Sequence, residues 1–146
     1  MTQKATRRWF LVALALLVVG GFGAVQAQAT LAALEAQLMT AVQHAEFSMA
    51  EADHATAVRH LGHVLNCIAG EGGDGFDGSW GHPCGSQGPG IVQDVVAHPH
   101  AEDVAALLGA AHALAKQGVT EASLGAVHAA AAGVRALLQV LAEFGG

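Results

Sequence analysis

Apolar residues recur at every third or fourth position in four stretches of the chain, which is the spacing of one face of an α-helix. The stretches run over residues 30–50, 54–69, 99–117 and 120–144. The residues on the four apolar faces, which we expect in the core, are Leu31, Leu34, Leu38, Ala41, Ala45, Met49, Ala57, Val58, Leu61, Val64, Leu65, Ile68, Val104, Leu107, Leu108, Ala111, Leu114, Ala115, Leu124, Val127, Ala131, Val134, Leu138 and Leu141. Alanine is abundant and β-branched and aromatic residues are scarce, so the pattern predicts an all-α domain.

Local capping signals predict where these helices begin and end. Thr30, Asp53 and Thr120 are predicted N-caps, and Gly118 is the predicted stop of the third helix. The stretch Ile91–Val96 is predicted to add only a short turn before the third helix. Short connections between the first and second helices, and between the third and fourth, imply two antiparallel hairpins. We therefore expect a four-helix up-down bundle.

A glycine-rich stretch, residues 70–90, separates the two predicted hairpins. Gly, Asp, Ser and Pro dominate this loop, so it sustains no regular element, and loops of this length are either functional or disordered. The only two cysteines are Cys67, at the helix end, and Cys84, in the loop. A disulfide between them would contribute about 3 kcal/mol by the loop-closure model. We predict that this disulfide forms and orders the loop.

The first 29 residues have the pattern of a secretory signal peptide. Basic residues precede an apolar run, Trp9–Val19, and small residues suited to cleavage stand at Ala27 and Ala29. The run Thr6–Leu11 also resembles a twin-arginine export signal, which leaves the Sec and twin-arginine routes open, with an uncleaved anchor as a third interpretation. All three place the single domain, residues 30–146, in the periplasm or outside the cell, where a disulfide persists.

Removal of the signal peptide makes the chain strongly acidic. The remaining residues carry three basic and twelve acidic side chains, a net charge of −9 with histidine neutral. No basic patch can be assembled from Arg59, Lys116 and Arg135, so the sequence predicts no binding to nucleic acid. An acidic surface attracts cations. We expect no membrane association after signal cleavage, whereas the alanine-rich helix faces would also suit a homodimer.

Histidine is the most prominent chemical feature, with nine in the chain. On the second helix, His60, His63 and Cys67 fall within a sector of about 60°, away from the apolar face. The predicted disulfide would bring His82, two residues before Cys84, close to this sector. We therefore predict a metal site formed by His60, His63 and His82. Imidazole ligands suit zinc, copper and haem iron.

Two other interpretations of the loop stay open. Oxygen ligands in Glu71–Ser79 could bind calcium, but the alternate carboxylates and closing Glu of an EF-hand are missing. The loop could instead dock on a protein partner without any metal. Phe76 and Trp80 are expected to pack over the end of the bundle, which would explain aromatic residues in so polar a segment.

The remaining histidines and the motif content favour binding over catalysis. A histidine on a helix flank is usually solvated or hydrogen-bonded, so His54, His112 and His128 are expected to be structural. The chain lacks G-x-S-x-G, H-E-x-x-H and C-x-x-C-H motifs, and it contains no tyrosine. With its cysteines paired, it offers no activated nucleophile. We therefore expect a small binding or accessory module and not an enzyme.

One set of residues resembles a family of uncharacterised bacterial exported helical domains. These residues are His44-Ala45, then His60-x-x-His63-Val64-x-Asn66 at a helix end, then a Gly/Asp-rich loop and Pro89-Gly90. Members of the family carry H-A-E-H-V-x-N, a D-x-N-G-D-G-like loop and P-G-D-G, whereas here Gly62 replaces the Glu. The resemblance implies a helical bundle in which the His60–Asn66 helix end is important. It implies no activity or ligand.

Overall fold

The computed structural model describes the backbone of residues 3–144 and the side chains of residues 25–144. The side chains of residues 1–24, most of the predicted signal peptide, lie outside the described part. Five α-helices are present, α1 Gln3–Ala50, α2 His54–Ala69, α3 Ile91–Asp94, α4 Ala101–Gly118 and α5 Leu124–Glu143. Two short 3₁₀-helices span Gly78–Trp80 and Val95–Ala97. No β-strand occurs between residues 3 and 144, so the predicted all-α class is confirmed.

The predicted number of four helices is wrong. Helix α3 forms where the pattern predicts only a short turn. Gly90 precedes it with a φ of 138°, a backbone angle that favours glycine and lets the chain turn sharply. Ile91 is then fully buried and holds the single helical turn against the core. The predicted four-helix up-down bundle is therefore not confirmed in that form.

The break between α1 and α2 lies where the sequence predicts it. Asp53 is the N-cap of α2, because its Oδ2 accepts hydrogen bonds from N and Oγ1 of Thr56, both at 2.8 Å. Thr30 is wrong as a cap, since α1 continues through it without interruption. Its Oγ1 donates to the carbonyl of Gln26 at 3.0 Å. A helical threonine satisfies its hydroxyl in this way without ending the helix.

Helix α5 begins after Ser123 and not after the predicted cap Thr120. The side chain of Ser123 accepts a hydrogen bond from N of Ala126 at 3.3 Å. Thr120 Oγ1 donates to the carbonyl of Gln117 at 2.7 Å. Its hydroxyl therefore closes the last turn of α4 and does not open α5.

The core lies between the four long helices. Helix α1 packs against α2 and α5, and α4 packs against α5 and α2. Most of the predicted core residues are buried, and the six that are only half-buried are Leu31, Met49, Val58, Leu107, Leu114 and Leu124. At Gly118 an added Cβ would lie 2.6 Å from Cβ of Ala130, so α4 and α5 approach this closely only because residue 118 has no side chain.

The glycine-rich loop is fixed to the end of α2. The predicted Cys67–Cys84 disulfide is present, with a Cα–Cα distance of 5.2 Å, and both cysteines are fully buried. Asn66 is also fully buried, and its Nδ2 donates to the carbonyls of Asp77 and Gly81 at 2.7 Å. Its Oδ1 accepts from N of Asp77 at 2.9 Å. One helix end therefore holds the loop by a covalent bond and three hydrogen bonds.

Among the helices searched, α5 is long and apolar enough to cross a membrane. Its residues Val127, Val134 and Leu138 are fully buried in the core. These residues form the face of α5 that packs against the other helices, and 33 % of the apolar window is buried in this way.

Candidate metal centre

Three histidine side chains from two helices meet at the side of the domain. His44 comes from α1, and His60 and His63 come from α2. Nδ1 of His44 lies 3.2 Å from Nδ1 of His60 and 3.1 Å from Nδ1 of His63. One ring nitrogen from each residue lies within 4.8 Å of the other two. These residues, the three-histidine cluster, could hold a metal ion.

The α1–α2 hairpin produces this arrangement. His44 and His60 are each eight residues from position 52 in the connection, so antiparallel helices bring them to the same level. His63 follows His60 by three residues and therefore lies one turn further along the same face. Ser48 Oγ donates to the carbonyl of Ala57 at 2.9 Å, which joins the two helices near this level.

The spacing of the nitrogens matches a metal coordination sphere. Zinc–imidazole bonds of about 2.0–2.1 Å at tetrahedral angles place neighbouring ligand nitrogens about 3.3 Å apart. The two Nδ1 separations from His44 are 3.2 and 3.1 Å. Imidazole lone pairs that converge so closely repel each other unless a proton or a cation lies between them. Two of the three nitrogen pairs therefore already have the separation that a bound ion requires.

Trp80 fixes the orientation of His63. Nε2 of His63 donates a hydrogen bond to the carbonyl oxygen of Trp80. Because a carbonyl oxygen only accepts, Nε2 carries the ring proton and Nδ1 presents its lone pair to His44. The indole of Trp80 packs against α2 at Gly62, where an added Cβ would overlap the ring. Metal-binding histidines commonly have their second nitrogen held by such a partner, which orients the ligand.

Glu51 stands behind His60 in a similar way. Its Oε1 lies 3.6 Å from Nε2 of His60, on the opposite edge of the ring from Nδ1. The distance is too long for a direct hydrogen bond but close enough for the carboxylate to attract a proton on Nε2. A proton on Nε2 would leave the Nδ1 lone pair of His60 facing the cluster.

Electrostatics keep two members of the cluster neutral. Burial, followed by the charges of His63 and His60, lowers the pKa of His44 from 6.5 to about 4. Burial also lowers the pKa of His63, although its hydrogen bond to the Trp80 carbonyl opposes the shift. Metal ions bind the neutral imidazole, so at neutral pH neither residue has to lose the extra proton of an imidazolium. The ring proton that Nδ1 of His44 places between the nitrogens would move to Nε2 when an ion binds.

The structure brings together two of the three histidines predicted from sequence. His60 and His63 belong to the cluster, and the third member is His44. His82 is not in it: its ring packs against Phe76, with centroids 5.2 Å apart. The prediction placed His82 near α2 because it lies two residues before Cys84. The side chains of residues close in sequence do not have to point in the same direction. His44 could have been found by counting from the connection between α1 and α2, because His44 and His60 lie the same number of residues from it.

The histidines expected to be structural each contact a backbone carbonyl. Nε2 of His54 lies 2.8 Å from the oxygen of Glu121, and Nε2 of His112 lies 2.8 Å from that of Asp74. Nε2 of His128 lies 3.0 Å from the carbonyl oxygen of Glu51. These contacts join helices or loops that are distant in sequence.

The aspartates of the loop have other partners. The carboxylate of Asp74 accepts a hydrogen bond from Nζ of Lys116 at 2.7 Å, and this bond lowers the pKa of Asp74. Oδ1 of Asp77 accepts from N of Ser79 at 2.9 Å, which caps the 3₁₀-turn. Hydrogen bonding by the side chain and then the backbone of Ser79 lowers the pKa of Asp77. Each carboxylate therefore stabilises the conformation of the loop.

No protein-family model, curated protein or solved structure matches this chain. The resemblance to exported helical domains stays a prediction. The class of site is therefore defined by geometry alone, as a three-histidine centre between two helices.

Proposed function

We propose that the protein is a small extracytoplasmic binding module that holds one transition-metal ion, zinc or copper, through His44, His60 and His63. The observation that carries the proposal is the convergence of three Nδ1 atoms, with 3.2 and 3.1 Å between those of His44 and its two neighbours. Imidazole suits both ions, and copper(II) is expected to bind more tightly. The predicted leader and the Cys67–Cys84 disulfide support an oxidising compartment, the periplasm or the extracellular space.

A bare ion fits these residues better than haem. The two axial ligands of haem iron lie on opposite faces of the porphyrin. In the three-histidine cluster, the nitrogens approach one another from neighbouring directions and leave no gap for a macrocycle between them. The three imidazole ligands also favour a transition-metal ion over calcium, because calcium takes oxygen ligands.

Metal titration of the oxidised protein tests the proposal. Isothermal titration with Zn²⁺ and Cu²⁺ should give one ion per chain, and His63→Ala should weaken binding at least tenfold. His112→Ala is the matched control, since it removes a histidine that contacts the chain outside the cluster. Failure of the wild-type protein to bind either ion, or equal weakening by both variants, would contradict the proposal.

The alternative function is a metal-free interaction module whose loop docks on a protein partner. The observation that favours it is a set of exposed acidic residues in the loop, Glu71, Asp74 and Asp77. Phe76 and Trp80 are half-buried, so a partner would meet carboxylates before aromatic rings. Loss of partner capture in a Glu71→Gln and Asp77→Asn variant, with capture unchanged in His63→Ala, would select this function.

A further inference from the structure

The three-histidine cluster supplies only part of a coordination sphere. Zinc in structural sites has four protein ligands, whereas sites that act on ligands keep a position open. Within residues 25–144, no fourth His, Cys, Asp or Glu side chain joins His44, His60 and His63. Both cysteines are held in the disulfide. The nearest candidates for a fourth ligand are therefore Glu51 and the carbonyl of Trp80.

Neither candidate is placed to bind the ion. Glu51 lies 3.6 Å from Nε2 of His60, at the edge of the ring that faces away from the converging Nδ1 atoms. The carbonyl of Trp80 accepts the hydrogen bond from Nε2 of His63, on the corresponding far edge of that ring. Both groups orient ligands from behind and leave the ion side of the cluster free.

The three histidines are partly exposed to solvent. All three histidines are half-buried and none is enclosed in the core. Phe47 borders the cluster, with ring centroids 5.5 Å from His44 and 5.4 Å from His60, and is itself 42 % exposed. The cluster therefore lies near the surface of the domain and not in its core.

We propose that the bound ion keeps an open coordination position that holds water and exchanges it for a small anionic or nitrogen-donor ligand from solution. This inference rests on the proposed function and extends it: the protein presents the ion to a second ligand and does not bury it. The ligand class follows from the donors that Zn²⁺ and Cu²⁺ accept, which are oxygen, nitrogen and sulfur atoms with a free lone pair.

Cobalt(II) and azide test this position in two separable steps. The oxidised full chain is loaded with Co²⁺, and the visible d–d absorption reports binding by the three histidines. Sodium azide is then added, and a saturable change in those bands with one azide per cobalt is the expected result. Cobalt bands that azide does not alter would overturn the open position and leave the metal site standing. If cobalt bands are absent, the azide titration is repeated on the Cu²⁺ form, whose visible absorption reports the same exchange. Absence of binding of Co²⁺, Zn²⁺ and Cu²⁺ alike would overturn both proposals.

A Glu51→Gln variant tests whether Glu51 occupies the fourth coordination position. If Glu51 were the fourth ligand, the wild-type protein would resist azide and the variant would accept it, which would contradict the inference. The expected result is that both proteins bind one azide once loaded with Co²⁺, with the variant needing a higher Co²⁺ concentration because His60 loses the carboxylate behind it. Native mass spectrometry of the cobalt form supplies a second check. A single chain with one ion is expected, whereas an ion shared between two chains would show that a second copy fills the position.

Discussion

The indole of Trp80 lies directly against the backbone of α2 at Gly62, with no room for a Cβ between them. Gly62 stands between His60 and His63, and the carbonyl of Trp80 accepts a hydrogen bond from Nε2 of His63. The disulfide-fixed loop and the three-histidine cluster are therefore in direct contact. The conformation of the loop sets the direction of one metal ligand.

Replacement of Gly62 tests this contact. In Gly62→Ala, the added Cβ would overlap the Trp80 ring and push the loop away from α2. Overpacking of this kind costs about 1–3 kcal/mol. We expect lower stability in urea unfolding and weaker Zn²⁺ binding by isothermal titration, because His63 loses its orienting partner.

Gly109→Ala is the matched control in α4. A Cβ at Gly109 meets nothing within 4 Å, and the residue is exposed. Alanine is favoured over glycine in a helix by about 1 kcal/mol, so this variant should be slightly more stable with unchanged zinc affinity. Equal behaviour of the two variants would show that the Trp80–Gly62 contact has no special role.

Asn66 is expected to be the main hydrogen-bonding anchor of the loop. Asn66→Ala removes three hydrogen bonds and leaves N of Asp77 and the carbonyl of Gly81 without this partner, whereas the carbonyl of Asp77 keeps N of Trp80 at 3.2 Å. At about 1 kcal/mol per hydrogen bond, the free energy of unfolding should fall by roughly 2–4 kcal/mol. Urea unfolding followed by circular dichroism measures the change. A loss below about 0.5 kcal/mol, the scale of surface substitutions, would contradict this role.

Much of the helical framework could be predicted because each feature is local. The cap at Asp53 and the apolar faces of the four long helices follow from residue types at fixed spacing. Thr30 and Thr120 have the residue type of an N-cap, but each uses its hydroxyl to donate to the carbonyl of a preceding helical residue. The sequence does not state which of the two bonds forms.

The site was less predictable because its contacts are long-range. His44 and His63 are 19 residues apart, and their meeting depends on the register of a hairpin. A second long-range pair, Gln37 and Asp94, is buried between α1 and α3, with Nε2 donating to Oδ2 at 2.7 Å. Neither residue has a motif around it. Polar residues that find partners only through tertiary packing carry no local signal.

Removal of the disulfide should affect both stability and the metal centre. A double Cys67→Ala and Cys84→Ala variant loses a crosslink that spans 17 residues. The chain-entropy model assigns about 3 kcal/mol to a loop of this size. The far-ultraviolet circular dichroism of α1, α2, α4 and α5 should persist, because all the buried residues of their core except Cys84 lie outside residues 70–90.

Zinc affinity in the same variant shows whether the loop acts on the cluster. A loosened loop would hold the Trp80 carbonyl less firmly, so binding should weaken while the ratio of one ion per chain is kept. Orienting groups behind a ligand typically change metal affinity by about 10–100-fold. Unchanged affinity in the unlinked protein would mean that Asn66 alone positions Trp80.

The metal-free protein should lose stability in acid because of His44. The pKa of His44 is about 4 in the folded chain and 6.5 ordinarily, so between these values the unfolded state binds more protons. The contribution of neutral His44 is fully present above pH 6.5 and is lost as the pH falls toward 4. In EDTA, the urea midpoint should drop over this window, and it should drop less in His44→Phe, which keeps an aromatic ring but cannot titrate. Parallel pH profiles for the two proteins would show that His44 does not titrate differently on folding, and would remove the electrostatic argument for a neutral ligand set.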